Sequence, residues 1–250
     1  MKKEGKKISK KDPRINPRVP SGINGLDPLI DGGFEKNSMN LLVATGGSGK
    51  TIFGAQFLME GIKQKENCMY ITFEEKKKEF FSNMLSLGWD LEKYEKEGKF
   101  YFVEYTPEKV KTMLEEGGGV IETLIMSKKI KRVVIDSITS FALLFENDVE
   151  KRSSALELYN LLRKWDCTVI MTYERPPITD VKTTSRVLEF ESDSIILLYF
   201  LRSKKERKRY MEILKMRGTN HSKEIWGFEI KDGGIYLDKK SFEGEILDLI

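Results

Sequence analysis

The run Val43-Ala44-Thr45-Gly46-Gly47-Ser48-Gly49-Lys50-Thr51 joins three glycines to a lysine and a threonine. A strand-like stretch from Met39 to Val43 leads into it, and a helix-like stretch through Phe53, Phe57 and Ile62 follows. Glycines at this spacing let backbone N–H groups curl around a polyphosphate and approach it closely. The helix start adds unpaired donors and the positive end of a dipole. In such a loop Thr45, Gly46, Gly47, Ser48 and Gly49 line the phosphates, Lys50 reaches the β- and γ-phosphates, and the Thr51 hydroxyl holds magnesium. A magnesium-bound nucleotide is the expected ligand. One position departs from the usual G-x-x-x-x-G-K-[ST] pattern: Ala44 stands where the first glycine is expected. Alanine suits a residue still on strand backbone and fails if φ must be positive.

Three further groups carry chemistry. Val133-Val134-Ile135-Asp136 is an apolar strand ending in a carboxylate, the form of a Walker B strand, which places Asp136 with Thr51 at the metal. Glu74 and Glu75 follow the strand-like Met69–Phe73, where a carboxylate can orient or deprotonate an attacking water. They fit equally as acids decorating a helix N-terminus. Lys215 and Arg217 lie two apart after another strand, so they point the same way. Two cations aimed at one place suit a γ-phosphate, but taken alone the pair reads better as a solvated basic strand end.

The elements that position these groups alternate. Strands are expected at 39–44, 69–73, 100–105, 132–135, 168–172 and 195–199. Helices are expected near 50–64, 77–87, 108–128 (interrupted at Gly117-Gly118-Gly119) and 149–165. A polar, Pro-containing loop is expected over 174–190, and strand pairs at 209–216, 225–230 and 235–238 close the chain. The fold class is therefore α/β: a mostly parallel sheet with helices on both faces and antiparallel strands at the C-terminal end. No linker divides the chain, so residues 19–250 are expected to form one domain behind a basic, flexible tail at 1–18.

The charge distribution supports that division. Residues 1–18 hold eight Lys or Arg against two acids, leaving a remainder with 35 basic and 37 acidic residues. The folded part lacks the basic surface of a dedicated duplex-DNA binder. Two cysteines, Cys68 and Cys167, each open an apolar run and read as small buried hydrophobes, which suits a reducing cytoplasm. The longest apolar stretch, Ile195–Leu201, is too short to span a bilayer, so no membrane partner is expected. A single histidine, His221, argues against a zinc site or a His-based triad.

Taken in order along the chain, these motifs resemble the KaiC family of ATPases and its single-domain archaeal branch, within the RecA/RadA superfamily. The resemblance runs through Ser21-Gly22-Ile23-Asn24-Gly25-Leu26-Asp27, Gly32-Gly33, the phosphate loop, Thr72-Phe73-Glu74-Glu75 and Gly88-Trp89-Asp90-Leu91. It continues through Asp136-Ser137, Thr172-Tyr173-Glu174-Arg175 and Lys215-Met216-Arg217-Gly218-Thr219-Asn220-His221. It implies a RecA-like fold, ATP with magnesium, slow hydrolysis and a homo-hexameric ring. It also implies that the Glu pair supplies the catalytic carboxylate, and that Lys215 and Arg217 act on the ATP of a neighbouring subunit. KaiC has two tandem copies of this domain and this chain has one. Glu189-Phe190 occupy the places of the phosphorylated Ser-Thr pair of the second copy, which argues against autophosphorylation, and clock function is not expected to carry over.

Two other readings remain open at this level. A recombinase-type grip on single-stranded DNA is suggested by the superfamily, the tail, the 174–190 loop and the basic run Arg202–Arg209. An ATP-binding scaffold with negligible hydrolysis is the other, and the Glu pair with Asp136 argues against it. A protein client is expected, with no signature that identifies it. A GTPase is disfavoured because no Asn-Lys-x-Asp motif is present.

Overall fold

The computed structural model describes residues 16–243 except 107, 110–111, 113, 115–116, 118, 143, 146, 175–185 and 204–205. Most of the basic tail, most of the 174–190 loop and parts of the 108–128 segment lie outside the described residues. The strands are β1 (Arg18–Val19), β2 (Phe34–Glu35), β3 (Met39–Ala44), β4 (Asn67–Thr72), β5 (Phe100–Glu104) and β6 (Ile130–Asp136). They continue with β7 (Thr168–Glu174), β8 (Ser194–Ser203), β9 (Glu206–Met216), β10 (Ile225–Lys231) and β11 (Gly234–Ser241). The helices are α1 (Lys50–Lys63), α2 (Lys77–Ser86), α3 (Leu91–Lys96), α4 (Gly119–Lys128), α5 (Ile138–Ala142), α6 (Asp148–Lys164) and α7 (Arg186–Glu191).

Nine strands form one sheet in the order β11-β10-β9-β8-β3-β7-β6-β4-β5. The block from β8 through β5 is parallel, and β9, β10 and β11 extend it antiparallel. The central strands have both faces covered, so they read as unbroken apolar runs. Successive residues then serve opposite cores. Leu42, Tyr70, Val134, Ile170 and Ile196 pack with Phe53, Phe57, Phe80 and Met84 on the side of α1 and α2. Leu41, Met69, Val133, Val169 and Ile195 pack with Ile121, Ile125, Leu158 and Leu162 on the side of α4 and α6. Each fully buried aliphatic or aromatic side chain contributes roughly 1.5–3 kcal/mol of transfer free energy.

The sheet sets one edge as the working edge. β3 runs parallel to β7 and β8, with Ala44 opposite Glu174 on one side and Leu198 on the other. Asp136, Thr72 and Glu104 end their strands in register at the same carboxyl edge. In an open parallel sheet, ligands bind outside that edge.

Residues 186–190, expected as loop, fall in the short helix α7 (Arg186–Glu191), and α3 and α5 are additional short helices. The entry segment is locked down by Arg132 on β6, which is 1% exposed. Its guanidinium donates to Glu66 at 2.6 Å, to the Pro20 carbonyl at 2.7 Å and to the Phe57 carbonyl at 3.0 Å, and it lies 4.7 Å from the Phe57 ring centroid. Gly61 makes room for it, since a Cβ there would come within 2.6 Å of the Arg132 side chain. Arg132→Ala is expected to cost about 3 kcal/mol, at the low end for a broken buried pair because Glu66 keeps 30% of its surface. A free energy of unfolding lowered by that amount in chemical denaturation checks it.

Candidate nucleotide site

The loop after β3 closes back on itself. The Thr45 carbonyl accepts from the Ser48 hydroxyl at 2.7 Å and from the Ser48 N–H at 3.3 Å. Gly47 and Gly49 have φ of 74° and 105°, in the left-handed region that glycine enters without a Cβ penalty. Gly49 caps α1 with no side-chain hydrogen bond, so the first-turn N–H groups of the helix stay available to an anion. Ala44 is absent from the positive-φ residues and lies on β3, so alanine is accommodated at that position.

Thr51, Asp136, Lys50 and Glu174 come together at the mouth of the loop. The Thr51 hydroxyl donates to Asp136 Oδ2 at 2.9 Å. Lys50 Nζ is 2.9 Å from Glu174 Oε2 and 3.4 Å from the Thr45 carbonyl. The Thr45 hydroxyl is buried without a hydrogen-bond partner among the described residues. A buried orphan hydroxyl, a hydroxyl–carboxylate pair and glycine-lined N–H groups together fit a magnesium-bound polyphosphate. Thr51 and Asp136 are the protein groups that would hold the cation.

Asp136 is more tightly held than its strand-end position suggests. The Tyr70 and Thr172 hydroxyls also donate to it, at 2.5 Å each, from the neighbouring strands β4 and β7. Tyr70 is fully buried, and burial first, then the Asp136 charge, keeps its phenol protonated well above the ordinary range. Tyr70 does not stand out in the sequence, and Thr172 enters there only as part of a family motif, with no role attached. Both look like ordinary positions in a buried strand, and only the order β4-β6-β7 brings them onto one carboxylate.

Glu74 and Glu75 turn to different partners. Glu74 Oε1 accepts from the Ser140 hydroxyl at 2.7 Å and from Ser137 at 3.4 Å, which ties it to the start of α5 beside Asp136. Glu75 Oε1 accepts from Asn83 at 3.2 Å. Burial raises its carboxyl above the ordinary range, and the charges of Asp136 and Glu79 add to that. Both backbone N–H groups donate to the Thr72 hydroxyl, fixing the turn out of β4.

Lys215 and Arg217 are not brought to this loop. In the β8–β9 pairing Lys215 lies opposite Ile195 and Met216 opposite Ser194, whereas the loop begins beside Leu198. Three to four residues of strand, about 10–13 Å at 3.3 Å per residue, separate them along the sheet. Instead Lys215 Nζ donates to the Glu189 and Phe190 carbonyls at 3.0 and 3.1 Å. Arg217 donates to the Phe190 carbonyl at 2.7 Å and to Asp193 at 3.3 Å. Burial, then the Arg217 charge, lowers the Lys215 ammonium below its ordinary range.

A different cation touches the loop. Arg209 on β9 donates to the Gly47 carbonyl at 3.2 and 3.3 Å and lies 4.3 Å from the Phe200 ring centroid. The described residues of the basic run that contains it lie on β8 and β9, where Arg207 also covers Phe200 at 5.4 Å.

A glycine loop between a central parallel strand and a helix, facing an Asp-ended strand, defines a P-loop nucleotide-binding core. A family model described as "ATPase: KaiC" matches residues 19–241, and the chain belongs to that family. It is 35% identical over 239 residues to the circadian clock protein KaiC3 of Synechocystis sp., covering 91% of this chain and 47% of that one. It is 34% identical over 224 residues to the circadian clock oscillator protein KaiC of Synechococcus elongatus, covering 86% and 43%. The chain thus spans about half the length of the curated relatives it matches. Among solved structures, the KaiC-like protein PH0186 of Pyrococcus horikoshii superposes with a TM-score of 0.78 at 37% identity, covering 89% of this chain and 99% of that chain. The core is accordingly a RecA-like KaiC ATPase domain, and ATP binding follows from that family. No helix among the described residues is long and apolar enough to cross a membrane.

Proposed function

We propose that this chain is a magnesium-dependent, low-turnover ATPase that works as a homo-hexameric ring in the cytoplasm, with hydrolysis at subunit boundaries driving a change of conformation or assembly. The carrying observation is the Thr51–Asp136 pair at 2.9 Å beside Lys50, at the mouth of the glycine loop. The loop N–H groups and Lys50 bind the β- and γ-phosphates. A magnesium ion on Thr51 and Asp136 would neutralise charge on the phosphate oxygens. Asp136 is oriented for that by Tyr70 and Thr172. Glu74 or Glu75 takes the proton of the attacking water, and the other carboxylate positions it. Lys215 and Arg217 of one subunit complete the site of the next, which leaves a lone subunit slow.

A grip on single-stranded DNA has less support, because Arg207 and Arg209 of the basic run are committed to Phe200 and Arg209 also to the loop. The test is phosphate release from Mg-ATP by wild type and Lys50→Ala. Wild type is expected to turn over slowly and Lys50→Ala to fall to background, with loss of nucleotide binding. Equal rates in the two proteins would defeat the assignment.

A further inference from the structure

The ammonium that the phosphates need already has a partner. Lys50 Nζ is ion-paired with Glu174 Oε2 at 2.9 Å; the lysine side chain is 11% exposed and the glutamate 51%. Glu174 holds a built position. It ends β7 opposite Ala44, the residue that opens the phosphate loop, and its N–H donates to the Thr139 hydroxyl of α5 at 2.7 Å. Its other carboxylate oxygen leans over the loop, 3.4 Å from where a Cβ on Gly46 would stand. A full negative charge therefore lies across the loop that binds anions, on the cation that binds them.

We propose that Glu174 is an internal counter-anion of the phosphate loop. It keeps Lys50 extended into the loop in the absence of nucleotide, competes with the polyphosphate for that ammonium, and must swing away when nucleotide binds. Glu174 is thus a positioning residue that weakens nucleotide affinity and speeds product exchange. Like charges this close repel, and the half-exposed setting screens the effect to a moderate size. The inference rests on the nucleotide-binding reading above.

The experiment is equilibrium binding of ATP, ADP and adenosine to the full chain, wild type against Glu174→Gln. Glutamine keeps the size and the backbone contact to Thr139 while removing the charge. ATP and ADP are expected to bind about tenfold more tightly to the variant, with the gain shrinking as salt rises, and adenosine binding is expected not to change. Nucleotide affinity that is unchanged or weaker in Glu174→Gln overturns the proposal, as does a gain that adenosine shares. Wild type that binds neither ATP nor ADP would instead overturn the function proposed above, so the two failures are distinct.

Discussion

Changing Glu74 and Glu75 together to Gln is expected to leave ATP bound while phosphate release falls by about 10²–10⁴-fold, the usual contribution of a positioned base. Nucleotide affinity rests on the loop N–H groups, Lys50, Thr51 and Asp136, none of which is altered. The two carboxylates contribute only when water must lose its proton. They are differently prepared for that. Glu74 is oriented by the Ser137 and Ser140 hydroxyls next to Asp136. Glu75 is raised mainly by burial, with help from the Asp136 charge. A base must be deprotonated to act, so a raised carboxyl moves the acid limb of the kcat/KM profile to higher pH. A cation on Asp136 offsets the part of the shift that comes from its charge and leaves the part due to burial. The single variants divide the roles: an acid limb that changes in Glu75→Gln assigns the base to Glu75, and a limb indifferent to that change assigns it to Glu74. Wild-type phosphate release in the double variant would remove both residues from the chemistry.

The parts of the site that lie within one stretch of chain are legible in the amino-acid sequence. The strand, loop and helix over Met39–Lys63 follow from apolar runs and glycine spacing, and the strand placement of Ala44 answers the one question the motif raises. Asp136 is legible for the same reason, as the polar end of a buried strand. Partners supplied by other strands are not. Tyr70, Thr172 and Glu174 act on Asp136 and Lys50 only because β4 and β7 flank β6, and β7 flanks β3. Strand order depends on packing between distant segments, and periodicity along one strand does not report it. The short helices α3, α5 and α7 escape a sequence reading for a different reason. Runs of five or six residues hold too few turns to show a helical period and have little stability of their own. In α7 that concealment matters, because the Glu189 and Phe190 carbonyls of its last turn take up Lys215 and Arg217.

That contact frames the second large effect. Within one chain, Lys215 and Arg217 are displaced from their own phosphate loop toward the amino edge of the sheet. If they serve catalysis, the ATP they serve belongs to another molecule. A head-to-tail interface joins one surface to a different one and closes into a ring when the rotation allows. Such a ring can set one subunit's amino-edge cations against the next subunit's carboxyl-edge loop. Arg217→Ala is then expected to lower phosphate release by about 10³-fold, the scale of an inserted arginine, without weakening the loop's own hold on ATP. The decisive measurement mixes two crippled proteins. Arg217→Ala subunits keep Glu74 and Glu75, and Glu74→Gln/Glu75→Gln subunits keep Arg217. At equal amounts and random order, about one boundary in four combines intact carboxylates with an intact cation, so the mixture is expected to recover up to roughly a quarter of the wild-type rate from two nearly inactive parents. A mixture no faster than its parents, with subunit exchange verified by a labelled copy, would mean that these cations do not cross the boundary.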